Sequence, residues 1–120
     1  MRPSTLAIAF GAGRVLVGAA LLATPGPITR AWVGDAGAPA QLLGRCLGAR
    51  DVVIGGGLVA AVARDRDPRA WLVGGVLADT VDGIASVAAG SEIPRNGRLG
   101  TAALAGGSAL FGAWLASAID

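Results

Sequence analysis

Five charged residues interrupt otherwise apolar segments of this 120-residue chain. They are Arg14, Arg50, Asp51, Asp79 and Asp82. An ionised side chain costs about 2.5–3.5 kcal/mol at the centre of a helix that faces lipid. If the segments are membrane spans, these groups must face protein, where together they have the chemistry to hold a proton, an ion or a polar solute. They form the predicted ligand or ion site.

Several other chemistries are excluded by composition. The chain has no histidine, so a nucleophilic triad that uses one is impossible. Cys46 is the only cysteine, which excludes a disulfide within the chain and a thiolate metal cluster. The arginines are scattered and the net charge is only +2, so we expect no nucleic-acid partner. We predict no metal site, and no cofactor is indicated.

The hydrophobic fraction of 53% and the charged fraction of 15% are typical of a membrane protein. A span needs roughly 20 residues, and the run 99–119 carries no charge. We predict four transmembrane helices forming one domain over residues 1–120, namely 5–24, 43–63, 70–90 and 99–118. The predicted fold is all-α, an integral membrane four-helix bundle with glycine-rich helix contacts, surrounded by membrane lipid.

The connection over residues 25–42 contains prolines and glycines that break helices. Within it, residues 28–33 are expected to form a short interfacial turn that carries Trp32. A cleaved signal peptide is the alternative explanation of the first apolar segment. Arg14 lies in the middle of that segment and argues against cleavage.

Arginines near the ends of the spans predict the orientation. Four lie towards one face and three towards the other: Arg2, Arg64, Arg66 and Arg69 against Arg30, Arg95 and Arg98. This balance favours both termini in the cytoplasm. All ten basic residues are arginine, which is typical of a GC-rich bacterial genome, so we expect a multi-pass protein of the bacterial cytoplasmic (inner) membrane.

Glycines share a helical face with the buried charges, because residues three, four or seven apart lie on one side of a helix. These glycines are Gly11, Gly18, Gly44, Gly48, Gly55, Gly75 and Gly83. Small residues let helices approach closely, so we expect the charges to point at one another inside the bundle. Gly106, Gly107 and Gly112 remain for a contact between copies, and we expect a homo-oligomer.

A weak internal repeat aligns residues 11–23 with 48–60 and places Arg14 over Asp51. A polar residue four positions before a glycine recurs at Asp79 and again at Ser108. Each helix would then bring one polar group to the middle of the membrane. Chance is an open alternative in a chain with 20 glycines.

The five charges do not balance, since three aspartates accompany two arginines. One carboxylate therefore lacks a partner unless Arg45 reaches inward. Asp79 and Asp82 share a face and would repel each other if both were ionised, and a shared proton or a bound cation would relieve the repulsion. If Arg14 pairs with Asp51, exchanging the two residues should restore part of the stability that either single replacement removes.

The stretch Gly48-Ala-Arg50-Asp51-x3-Gly55, with Arg14 before it and the paired aspartates after it, resembles one family. This family comprises small four-helix integral membrane proteins of high-GC bacteria, classed as a domain of unknown function. The resemblance implies a membrane bundle and no established activity.

The first functional hypothesis is binding or transport of a small ion or polar solute through the buried charges. A second is a membrane-embedded acid/base isomerase or cyclase acting on a lipophilic substrate. A third is an accessory subunit of a membrane complex whose charges only specify assembly.

Overall fold

The predicted all-α class is confirmed in the computed structural model, which describes residues 1–119 and contains no strand in that range. Its helices are α1 (Pro3–Ala23), α2 (Pro25–Val33), α3 (Ala38–Ala63), α4 (Arg69–Ala88) and α5 (Arg95–Ala118), with a 3-10 turn at Gly90–Glu92. All but α2 are long and apolar enough to cross a membrane.

The connection before α3 is more helical than its prolines and glycines predict. Residues 25–33 form the nine-residue helix α2, and α3 begins at residue 38, five positions before its predicted start. Pro25 is the first residue of α2, and Pro39 is the second residue of α3. An N–H group there has no acceptor within the helix, so proline begins a helix at such a position and does not break it. Gly34, at φ +78°, ends α2 in the left-handed conformation.

Helices α1 and α3 run antiparallel and touch backbone to backbone. A Cβ atom built on Gly18 would lie 2.5 Å from the carbonyl oxygen of Gly48, and one built on Gly48 would lie 2.6 Å from that of Gly18. Gly11 and Gly55 meet in the same reciprocal way two helical turns further along. Only glycine permits so close an approach.

Helices α4 and α5 form a second close pair, and contacts between the two pairs are sparser. Five buried apolar residues join the pairs at the end where α1 begins and α5 finishes: Ala7, Leu58, Leu72, Leu115 and Ile119. The middle of the interface between the pairs is left for polar side chains.

Arg69, at the start of α4, binds the carboxyl end of α5. Its Nε donates a hydrogen bond to the carbonyl of Ala116 at 3.3 Å, and its Nη2 donates to the carbonyl of Ile119. Carbonyl groups in the last turn of a helix lack partners within the helix, and a positive charge is attracted to the negative end of the helix dipole there.

We expect the Arg69→Met variant to lose about 0.5–1.5 kcal/mol of unfolding free energy, because these hydrogen bonds disappear. Chemical unfolding in detergent, followed by circular dichroism, measures the loss. Arg66→Met is the matched control, since Arg66 is exposed in the loop that precedes α4 and its removal should change stability little. Equal effects of the two variants would contradict the assigned role of Arg69.

Candidate functional site

The structure brings all five predicted charged residues together in the interface between the two helix pairs. Each comes from the middle part of its helix: Arg14 from α1, Arg50 and Asp51 from α3, and Asp79 and Asp82 from α4. The long guanidinium side chain of Arg14 crosses from the first pair to the second.

Arg14 and Asp79 form the most deeply buried ion pair. Nη1 of Arg14 donates to Oδ2 of Asp79 at 2.6 Å, and Nη2 donates to Oδ1 at 3.1 Å. The two side chains are 7% and 9% exposed. Two parallel charge-assisted hydrogen bonds are the strongest arrangement that these groups can form, so this pair holds α1 against α4.

Ser108 extends this pair to α5. Its hydroxyl donates to Oδ2 of Asp79 at 2.6 Å and accepts a longer hydrogen bond, 3.4 Å, from Nη1 of Arg14. Ser108 was absent from the predicted site because it carries no charge. The signal for it was its position four residues before Gly112, the same spacing that precedes Gly83 in α4.

Arg50 and Asp82 form a second bidentate pair. Nη1 of Arg50 donates to Oδ1 of Asp82 at 2.9 Å, and Nη2 donates to Oδ2 at 2.6 Å. The side chains are 30% and 24% exposed, so this pair lies nearer the surface than the Arg14 pair. It joins α3 to α4.

Asp51 connects the two pairs. Its Oδ1 accepts hydrogen bonds from Nη2 of Arg14 at 2.9 Å and from Nη2 of Arg50 at 3.4 Å. Within residues 1–119, Oδ2 of Asp51 accepts no hydrogen bond from protein. Asp51 is therefore the carboxylate with the weakest pairing. Asp79 binds Arg14 through two hydrogen bonds and Asp82 binds Arg50 in the same way, whereas Asp51 receives one from each arginine.

Two expectations about these charges were wrong. The repulsion expected between Asp79 and Asp82 is offset, because each aspartate binds a different arginine. No carboxylate lacks a partner even though Arg45 is exposed, because Asp51 contacts both Arg14 and Arg50. The network still contains three carboxylates and two guanidinium groups, so its net charge is −1 when all are ionised.

The hydrogen-bonding capacity of the network is not filled. The Nε atoms of Arg14 and Arg50 are buried and have no hydrogen-bond partner among the described residues. Buried polar groups in protein interiors are almost always paired. Two free donors and the free oxygen of Asp51 distinguish this network from a saturated structural ion pair.

The predicted glycines lie in three settings. Gly11, Gly18, Gly48 and Gly55 form the contact between α1 and α3, as described above. Gly44 packs on Thr29 and Pro25 of α2. A Cβ atom on Gly75 would lie 3.6 Å from Nη1 of Arg14, and one on Gly83 would lie 3.8 Å from Ala105. At these distances an added methyl group would make ordinary van der Waals contact, so close approach does not require glycine at either position.

Two cavities flank α3. One, of about 700 Å³, is a largely apolar groove on the outside of α1 and α3. The other, of about 340 Å³, lies between α2 and α3 and includes Trp32 and Arg50 in its wall. Neither cavity is lined by Asp51, Asp79 or Asp82, and residues 1–119 contain no group of three side chains suited to a metal ion.

No family model, curated protein or solved structure matches this chain. The resemblance to small four-helix membrane proteins therefore stays a prediction.

Proposed function

We propose that this chain is an integral membrane protein with four spans that binds one proton or one small monovalent cation at the Arg/Asp network. The observation that carries the proposal is the charge of that network, in which three carboxylates share two guanidinium groups. An uncompensated negative charge is costly in a low-dielectric interior, and a bound cation or proton removes that cost.

The outer surface of the helices supports insertion into lipid. Large apolar side chains point outward along the spans, among them Leu16, Leu104 and Leu110, each more than 70% exposed. In water such a surface drives aggregation, whereas in lipid it is solvated. The balance of arginines at the helix ends supports the orientation with both termini in the cytoplasm.

Asp51 is the proposed binding group. Its Oδ2 is free while Oδ1 is held by both arginines, so an incoming cation can be bound without breaking either bidentate pair. The side chain is 16% exposed, less buried than Asp79, which leaves it within reach from outside the network. The other two aspartates are committed to Arg14 and Arg50.

Cation-dependent stability tests this proposal. Thermal unfolding of the protein in detergent is measured while choline is replaced by Na⁺ or K⁺ at constant ionic strength. A ligand that binds only the folded state adds about 2.7 kcal/mol at a hundred times its Kd. We expect such a rise for the natural chain and none for Asp51→Asn, which keeps an acceptor oxygen but removes the excess charge.

Asp65→Asn is the matched control, because Asp65 lies in an exposed loop and asparagine tolerates its positive φ of 51°. This variant should respond to cations like the natural chain. A natural chain whose unfolding midpoint is the same in every cation would contradict the proposal. Equal cation responses of the natural chain and Asp51→Asn would show that Asp51 is not the binding group.

A purely structural role is the second candidate, favoured by the observation that every carboxylate of the network contacts a guanidinium group. Under this alternative the network only fixes how the helix pairs assemble. Asp51→Asn would then lower the stability of the fold, and neither the natural chain nor the variant would respond to cations, so the same titration separates the two candidates.

A further inference from the structure

The Arg50–Asp82 pair lies at the surface of the chain at the depth where a surrounding bilayer is most apolar. Arg50 is near the middle of α3, and its side chain and that of Asp82 are 30% and 24% exposed. The neighbouring Arg14–Asp79 pair is covered almost completely. Lipid tails offer no hydrogen bonds to the exposed part of this pair.

Small residues flank the pair on α3 and α4, and Arg50 and Cys46 also line the cavity between α2 and α3. Cys46, one turn before Arg50 on α3, is exposed. On α4, the residues one turn either side of Asp82 are Ala78, which is half-buried, and Ala85, which is exposed. Small side chains here allow another helix to approach closely. These five residues define the α3–α4 face.

We propose that two copies of the chain associate through the α3–α4 face. This face carries one positive and one negative group side by side, so a two-fold axis can set Arg50 of each copy against Asp82 of the other. A second copy thus supplies the hydrogen-bonding partners that lipid lacks. The proposal rests on the membrane insertion proposed above and does not depend on cation binding.

The glycines of α5 are less suited to be this contact. Gly112 is already used within the chain, since a Cβ atom there would lie 3.1 Å from Val76. Gly106 and Gly107 have open space around them, but no charged side chain lies on that surface of α5 between residues 99 and 118. Lipid solvates such an apolar surface without a partner.

Cross-linking in membranes tests the choice of face, because Cys46 is the only cysteine. The natural chain is treated in native membranes with an oxidant and with bismaleimides of short and long arms. A Cys46→Ser background carrying Ala85→Cys gives a second probe of the α3–α4 face. The same background carrying Gly107→Cys probes α5.

We expect covalent dimers from Cys46 and from Ala85→Cys, at yields that persist when the protein is diluted with excess lipid, and only monomer from Gly107→Cys. Dimers from Gly107→Cys alone would overturn the proposal. So would monomer from all three probes, supported by a monomeric mass from light scattering in detergent. Absence of the natural chain from the membrane fraction would instead contradict the proposed membrane insertion.

Discussion

Replacing Arg14 with methionine is expected to remove about 3–5 kcal/mol of unfolding free energy, the largest single effect that we predict. The replacement leaves Asp79 with no guanidinium partner in a site that is 9% exposed, and it removes the stronger of the two contacts to Asp51. Unfolding in detergent, followed by helical circular dichroism, measures the loss.

The double variant Arg14→Met with Asp79→Leu is the informative control. It removes both charges of the buried pair and should regain most of the loss, because paired removal leaves no bare charge at that position. Ser108 then loses its acceptor, so recovery is expected to fall short of the natural stability. An Arg14→Met variant as stable as the natural chain would contradict the role of Arg14 in holding the network together.

Exchanging Arg14 and Asp51 is no longer expected to restore stability. The sequence hypothesis considered these two residues as an isolated pair. In the structure Arg14 also binds Asp79 through two hydrogen bonds, so an aspartate at position 14 would face the carboxylate of Asp79. Two neighbouring carboxylates repel each other. The exchange would therefore replace the attractive contact between positions 14 and 79 with a repulsive one.

The second large effect is expected from Gly48→Ala. The new methyl group would lie 2.6 Å from the carbonyl oxygen of Gly18 and 2.9 Å from the Cβ atom of Leu21. A main-chain oxygen cannot move aside as a flexible side chain does, so α1 must shift away from α3. We expect a loss of about 1–3 kcal/mol or more.

Gly56→Ala is the matched control for this substitution, since Gly56 belongs to the same helix and a methyl group added there would have nothing within 4 Å. Its effect should lie between zero and a gain of about 1 kcal/mol, because alanine is the better helix former. Thermal unfolding of both variants in the same detergent gives the comparison. Equal stabilities would mean that the α1–α3 contact does not depend on bare backbone at Gly48.

Much of the fold follows from sequence periodicity. Gly11 and Gly18 are seven residues apart, as are Gly48 and Gly55. Two helical turns separate the members of each set, so two antiparallel helices can meet at both points in one register. Helix starts were less predictable, because prolines such as Pro39 both begin and interrupt helices, and only the flanking chain decides which.

The composition of the site was predictable, whereas its pairing was not. Apolar context identified all five charges, since ionised groups in such segments must face protein. Which arginine binds which aspartate depends on the distances between helices and on the reach of a guanidinium group. Asp51 is adjacent to Arg50 in sequence, yet its shorter hydrogen bond comes from Arg14, 37 residues away.

Infrared difference spectroscopy tests the central claim most directly, because it observes the carboxylate of Asp51 itself. Lipid films of the natural chain are exchanged between choline and Na⁺ or K⁺, and then acidified, and the corresponding spectra of Asp51→Asn are subtracted. We predict a carboxylate difference band in the natural chain and in Asp65→Asn that is missing from Asp51→Asn. Identical difference spectra for the natural chain and Asp51→Asn would contradict ion binding by this network.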